Sequence, residues 1–208
     1  MTRTRVKICG ITRPEDGLAA ARAGADAIGL MFYTGSTRRV SLDQARRVAD
    51  ALPPFVTLVG VFVDPGPGEV EAALAAVPLQ MLQFHGDETP QFCEGFGRPY
   101  LKAVRVRPGL DLVQYASRFS RAKAVLLDAF VQGVHGGTGQ SFDWSLVPPG
   151  LGLPLVLSGG LNPENVADAI RRVRPWAVDV SSGVEAARGI KDPQRIAAFM
   201  QGVRSAGV

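Results

Sequence analysis

Eight short apolar runs, rich in β-branched residues, begin near Arg5, Ala27, Val56, Leu79, Tyr100, Ala122, Pro154 and Trp176, at intervals of 21 to 32 residues. That rhythm leaves few architectures open. Parallel strands need a dozen or more connecting residues, usually a helix, and every interval has room for one. Several runs (Val56–Val63, Ala124–Leu127, Leu153–Leu157) are nearly continuous in apolar residues, as strands covered on both faces are. Eight βα units in 208 residues predict an α/β chain closed into a (β/α)8 TIM barrel. An open doubly wound sheet is the alternative, and the even spacing favours closure. No linker or compositional break interrupts the chain, so 1–208 reads as a single domain.

The intervals carry helix punctuation. Thr12-Arg13-Pro14-Glu15 and Ser41-Leu42-Asp43-Gln44 have the spacing of capping boxes. Gly24 is placed to stop the first helix, and Pro53-Pro54 the second. Asn162-Pro163-Glu164 supplies an N-cap with proline at the first helical position, and Asp192-Pro193 starts the last helix. The sixth interval is weakest: Gln132–Ser141 is rich in glycine, and only a short helical turn near Trp144–Val147 is expected.

Composition excludes several classes. With 46% apolar residues the chain can bury a large core and is not disordered. No run is long enough for a membrane-spanning helix, and residues 1–5 lack the features of a signal peptide. The expected setting is cytoplasmic, with no membrane partner. The net charge of +4 is scattered and aromatics make up 7%, which gives no basic stripe with stacking residues for a nucleic acid. A small anionic substrate fits that excess. Cys9 and Cys93 are too few for a disulfide framework, and His85 and His135 lack metal-ligand spacing. No metal is expected.

In a βα barrel the chemistry sits at the C-terminal ends of the strands. There the chain places Cys9, the segment Tyr33–Arg39, Asp64, Gln83 with His85, Arg105 with Arg107, and Asp128. The last two strand ends are Ser158-Gly159-Gly160 and Asp179-Val180-Ser181-Ser182-Gly183. Glycine turns there let backbone amides approach an anion, so Gly159, Gly160, Ser182 and Gly183 form a candidate phosphate cradle, with Ser158 and Ser181 placed in the binding site beside it; two plain tight turns are the alternative. Asp128 closes an apolar run, where desolvation suits a carboxylate to general-acid work, although an N-cap or turn would also explain it. Cys9 alone reads more readily as a small buried hydrophobe than as a catalyst. Cys93, within Gln91–Phe96, reads as helix packing.

Taken together, Lys7-Ile8-Cys9-Gly10-Ile11-Thr12, Gln83-Phe84-His85-Gly86, Leu127-Asp128, Gly136-Gly137-Thr138-Gly139, Leu157–Val166 and Val178–Glu185 resemble phosphoribosylanthranilate isomerases of tryptophan biosynthesis. The motifs run in order over essentially the whole chain. The resemblance implies an Amadori rearrangement of N-(5-phosphoribosyl)anthranilate to the deoxyribulose phosphate, without a cofactor. It implies Cys9 as general base, Asp128 as general acid and Arg38 as ligand of the anthranilate carboxylate. Prolines common in the family's loop are absent from Tyr33–Arg38, which carries Gly35 instead, and greater loop mobility is expected. Gln83, His85 and Asp179 are placed in the binding site by position. The partner is then a small phosphorylated molecule, and the protein a monomer or homodimer. The alternatives are another phosphosugar barrel enzyme, such as an indole-glycerol-phosphate synthase or a thiamin-phosphate-synthase-like protein, and a phosphate-binding module without catalysis.

Side-chain alternation adds one expectation. Lys7 shares the strand face of Cys9, and Asp179 that of Ser181. Strands one and eight are neighbours in a closed barrel, so Lys7 and Asp179 should both point inward and lie close. A cation there would favour the Cys9 thiolate.

Overall fold

A computed structural model describes residues 3–107, 109–129 and 143–207. Strands β1 (Arg5–Cys9), β2 (Ala27–Met31), β3 (Thr57–Phe62), β4 (Met81–Phe84), β5 (Tyr100–Val106), β6 (Ala124–Ala129), β7 (Leu155–Leu157) and β8 (Ala177–Val180) form one closed parallel barrel in chain order. Each predicted run became a strand, starting within two residues of its expected position. Closure is made by β1 against β8, in a register that sets Lys7 opposite Asp179.

Helices α1 (Pro14–Ala23), α2 (Leu42–Ala51), α3 (Pro67–Ala76), α4 (Pro90–Glu94), α5 (Leu112–Ser117), α6 (Val166–Val173) and α7 (Pro193–Ser205) follow the strands, with one 3-10 turn, Trp144–Leu146, before β7. Ser41 and Gln44 close the expected capping box on α2, and Asp192 caps α7 through Gln194 and Arg195. Gly24 ends α1 in the left-handed conformation, φ 98°.

Two expected caps differ. Thr12 does not cap α1: Arg13 is the N-cap, without a side-chain bond, and the Thr12 hydroxyl donates to the Gly189 carbonyl at 2.6 Å. A distant acceptor outcompeted the local amide. Asn162 accepts from the amides of Glu164 and Asn165, but this organises a turn, and α6 begins only at Val166.

Even-numbered residues Val104 and Val106 of β5 pack with Leu112 and Ala116 of α5, as do the odd-numbered Val125 and Leu127 of β6. The opposite faces, Leu101 and Ala103 with Ala124 and Leu126, fill the barrel interior with Val156 and Ala177. That inward face changes character along several strands. Toward the floor it is largely apolar, with Arg5 and Thr57 as the polar exceptions. Its last residues are Lys7 and Cys9 on β1, Gln83 on β4, Asp128 on β6 and Asp179 on β8. The barrel floor is therefore a packed core, and its mouth is polar.

Outside the barrel, Glu185–Ala187 and Ile190–Lys191 form a small antiparallel ribbon, β9 and β10, with Glu185 opposite Lys191. On the outer face of β5, Lys102 is fully buried and donates to Glu88 at 2.7 Å and to the Gly86 carbonyl at 2.6 Å. Glu88 in turn accepts from the amides of Gly86 and Asp64. This network gives Asp64 a structural role. It also fixes the loop that follows His85.

Candidate active site

One cavity at the mouth collects Cys9, Arg38, Gln83, His85, Asp128, Ser158, Gly159, Gly160, Asp179, Ser181 and Ser182. Every residue placed in the site from sequence lines it except Gly183. A side chain at Gly183 would overlap the Leu161 carbonyl. Gly183 therefore lets the loops after β7 and β8 touch rather than lining the cavity. Gly159 and Gly160 have φ of 83° and 66°, where other residues are strained. Gly160 and Ser182 line one side of the mouth, where the loops after β7 and β8 meet.

Lys7 and Asp179 meet as alternation and closure predicted. Lys7 Nζ donates to Asp179 Oδ1 at 2.9 Å, with both side chains buried. Burial opposes the Lys7 charge, but Asp179 and Cys9 outweigh it and the pKa lies above the usual lysine range. The Cys9 thiol differs from expectation. Its burial is the largest influence and pushes its pKa up; Lys7 pulls it down, Asp179 pushes it up again, and the net direction is upward. Lys7 thus offsets part of the cost of a buried thiolate without reversing it. Removing this ammonium would leave Asp179 buried without its cation. Lys7→Met is expected to cost about 3–5 kcal/mol of folding free energy, read from urea denaturation; a loss under ~1 kcal/mol would contradict the pairing.

The register sets Gly29 beside Cys9. A Cβ at Gly29 would stand 2.7 Å from Cys9 Sγ and 3.1 Å from Lys7 Nζ. Sequence reading missed this residue, because its importance depends on the pairing register. Gly29→Ala is expected to displace the thiol and cost about 1–3 kcal/mol. It should also lower kcat/KM by up to about 100-fold, the effect of an ångström-scale misplacement. Wild-type kinetics with this variant would remove Gly29 from the site.

Facing Cys9 is a second group. Asp128 is reached from β1 through β8 and β7 on one side, or through β2 to β5 on the other, so the two sit across the mouth without being diametric. Asp128 Oδ1 accepts from the Ala129 amide at 2.9 Å. His85 Nε2 lies 3.2 Å from Asp128 Oδ2, off hydrogen-bond direction. Gln83 Nε2 lies 3.3 Å from His85 Nδ1, and Gln83 Oε1 is buried without a partner among the described residues. The loop after β2 turns twice, through Ser36 to Tyr33 and Arg39 to Ser36. It leaves Arg39 exposed and turns Arg38 inward.

Arg38 holds the clearest surprise. It forks onto Glu185, Nε to Oε1 at 2.7 Å and Nη2 to Oε2 at 2.8 Å. Lys191, with its side chain fully buried, donates to the same Oε1 at 2.8 Å. Glu185 and Lys191 were not foreseen as site residues. A two-residue turn at Arg188-Gly189 pairs Ala187 with Ile190, and only a register shift between Ile190 and Lys191 then sets Glu185 opposite Lys191, a bulge that no local pattern announced. Cys93 is buried at the helix layer, where desolvation pushes its thiol up to about 12, as packing requires. The whole Gln132–Ser141 stretch, with its glycine-rich Gly136–Gly139 motif, lies outside the described residues.

A buried thiol and a carboxylate on separate strand ends, an inward arginine and the corner of Gly160 and Ser182 suit acid–base work on a small anionic sugar. The family model described as N-(5'phosphoribosyl)anthranilate (PRA) isomerase matches residues 6–202. The N-(5'-phosphoribosyl)anthranilate isomerase of Nitrosospira multiformis is 59% identical over 199 residues, 96% of each chain. That of Pseudomonas aeruginosa PAO1 is 59% identical, covering 99% of this chain and 97% of its own. The crystal structure of phosphoribosyl anthranilate isomerase from Thermotoga maritima superposes with a TM-score of 0.89 at 43% identity, over 97% of this chain and 99% of that one. A phosphoribosyl anthranilate isomerase in complex with reduced 1-(o-carboxyphenylamino)-1-deoxyribulose 5-phosphate gives 0.86 at 43% identity, with the same coverage. The chain belongs to the N-(5'-phosphoribosyl)anthranilate isomerase family.

Proposed function

We propose that Cys9 and Asp128 are the general base and general acid of the isomerase reaction, with the substrate phosphate at the loops after β7 and β8. The enzyme rearranges N-(5'-phosphoribosyl)anthranilate to 1-(o-carboxyphenylamino)-1-deoxyribulose 5-phosphate, a step of tryptophan biosynthesis. The observation that carries the assignment is that one cavity holds a buried thiol beside Lys7 and a buried carboxylate beside His85, with the corner of Gly160 and Ser182 at its edge.

The steps follow from charge. Asp128 gives its proton to the furanose ring oxygen, the bond from that oxygen to C1' breaks, and the anilino nitrogen becomes an iminium. The iminium acidifies the C2' hydrogen. The Cys9 thiolate takes that proton, leaving an enolamine, which gains a proton at C1' as its C2' hydroxyl loses one and so becomes the ketone. A thiol pushed up by burial is matched to this order. Its conjugate base is needed only when a cation stands beside it, and a nearby cation favours the charged form. Arg38 keeps Nη1 free of any described partner and takes the anthranilate carboxylate on that edge. Backbone amides at Gly160 and Ser182 take the phosphate, as backbone amides take anions elsewhere.

The test uses anthranilate fluorescence. Phosphoribosylanthranilate is generated in situ and its decay followed with the wild type and with each substituted protein. Turnover by wild type is expected, and its absence would overturn the function. The rest of this reading is a single-domain, cytoplasmic enzyme, monomeric or homodimeric. A relative from Thermotoga maritima is described as dimeric, which supports the second state.

A further inference from the structure

The ribbon β9–β10 lies outside the barrel period, yet it delivers two buried charges to the mouth. Cross-strand pairing puts Glu185 and Lys191 on one face. Lys191 Nζ spends its donors on Glu185 Oε1, the Ser181 carbonyl at 3.0 Å and the Ser181 hydroxyl at 3.3 Å. The ribbon is itself tied down, by Asp16 accepting from the Lys191 amide and by Thr12 donating to Gly189. Glu185 is thereby held from behind and presents both oxygens to Arg38. Fork-to-fork pairing fixes the guanidinium plane as well as its position. The Arg38 stem crosses the end of β1 where Gly10 leaves room; a Cβ there would stand 2.5 Å from Arg38 Cδ.

We propose that Glu185, backed by Lys191, is a positioning residue that fixes the Arg38 guanidinium toward the cavity and sets the charge around the Cys9 thiol. The inference rests on the reading of Arg38 as carboxylate ligand and Cys9 as base. The charges that act on Cys9 are Lys7 from β1, Arg38 from the loop after β2, Asp179 from β8 and Lys191 from β10; Glu185 from β9 touches two of them, Arg38 and Lys191, and His85 and Asp128 line the same cavity. Three cations thus stand against two neighbouring carboxylates. Glu185 neutralises both Arg38 and Lys191, and its own carboxyl is held below the usual range: burial opposes this, but Arg38 and Lys191 win. Deleting either member of the Glu185–Lys191 pair therefore moves the thiol in opposite directions.

The experiment measures iodoacetamide modification of the substrate-free enzyme against pH. The Cys9 peptide is followed by mass spectrometry, which separates it from Cys93. The titration midpoint is the readout, since intrinsic nucleophilicity changes with thiol acidity. Glu185→Gln removes the negative charge that Arg38 and Lys191 share, and the midpoint should fall by up to roughly one pH unit as their charge is left uncompensated. Lys191→Met removes a positive charge, and the midpoint should rise by a similar amount. Glu185→Asp keeps the charge but shortens the reach. It should leave the midpoint near wild type while raising KM several-fold with little change in kcat.

Midpoints that move in the same direction for Glu185→Gln and Lys191→Met, or that do not move in folded protein, would overturn the proposal. An unchanged KM for Glu185→Asp would overturn the positioning half. If Glu185→Gln does not fold, Lys191→Met and Glu185→Asp still decide it. The alkylation readout is independent of turnover, so a failure of the Cys9 assignment, read from Cys9→Ser kinetics, remains distinguishable.

Discussion

Cys9→Ser is expected to lower kcat/KM by roughly 10²- to 10⁴-fold, the contribution of a positioned acid or base, with KM little changed. The hydroxyl occupies nearly the same space between Gly29 and Lys7. It cannot supply a comparable base, because its conjugate base lies far above the working pH while a thiolate does not. The wild-type pH profile should carry the same signature. Burial raises the thiol in the free enzyme, and the reactive form is the deprotonated one. The limb of kcat/KM on its acid side should therefore climb with pH through, and beyond, the ordinary thiol value of about 8.5. Cys9→Ser should lose that limb. Turnover retained in Cys9→Ser, or a profile flat across this range in the wild type, would remove the thiol from its role.

What sequence could reach here was set by the range of each interaction. The eight strands were legible because a buried strand must be continuously apolar, and their spacing is a property of the chain alone. The Lys7–Asp179 pair was legible because it needs only alternation and closure, two rules without free parameters. The tight turn after β7 was legible from glycines, which mark backbone that must turn sharply or approach closely. Gly183 shows the limit of that cue. Its missing side chain serves the Leu161 carbonyl, and a glycine does not say which neighbour it makes room for.

Other features depended on contacts that no local pattern encodes. Thr12 has a capping-box spacing, yet its hydroxyl goes to Gly189, far along the chain. The direction of the Cys9 shift needed the depth of burial, which decides between desolvation and the Lys7 charge. Arg38 was found and its partner was not. The barrel period directs attention to strand ends, and Glu185 sits on a ribbon beyond the last of them. The functional reading therefore gained most where the fold departs from its repeat.

Asp128→Asn carries the second large effect, again roughly 10²- to 10⁴-fold in kcat/KM, and it separates chemistry from architecture. Asparagine keeps the shape and keeps Oδ1 as acceptor for the Ala129 amide. It also respects the tight fit to Gly159, where a Cβ would stand 3.1 Å from Asp128 Oδ1. What it loses is a proton that can be released to a leaving ring oxygen. That oxygen departs only in the cyclic substrate, so a ligand already open should bind the variant normally. Reduced 1-(o-carboxyphenylamino)-1-deoxyribulose 5-phosphate is such a ligand, and its affinity for Asp128→Asn, titrated by fluorescence, should stay within a few-fold of wild type. If instead its affinity fell in step with kcat/KM, Asp128 would be a binding group. If turnover survived, proton donation to the ring would have to come from another residue at the mouth, with His85, 3.2 Å away, the first to examine.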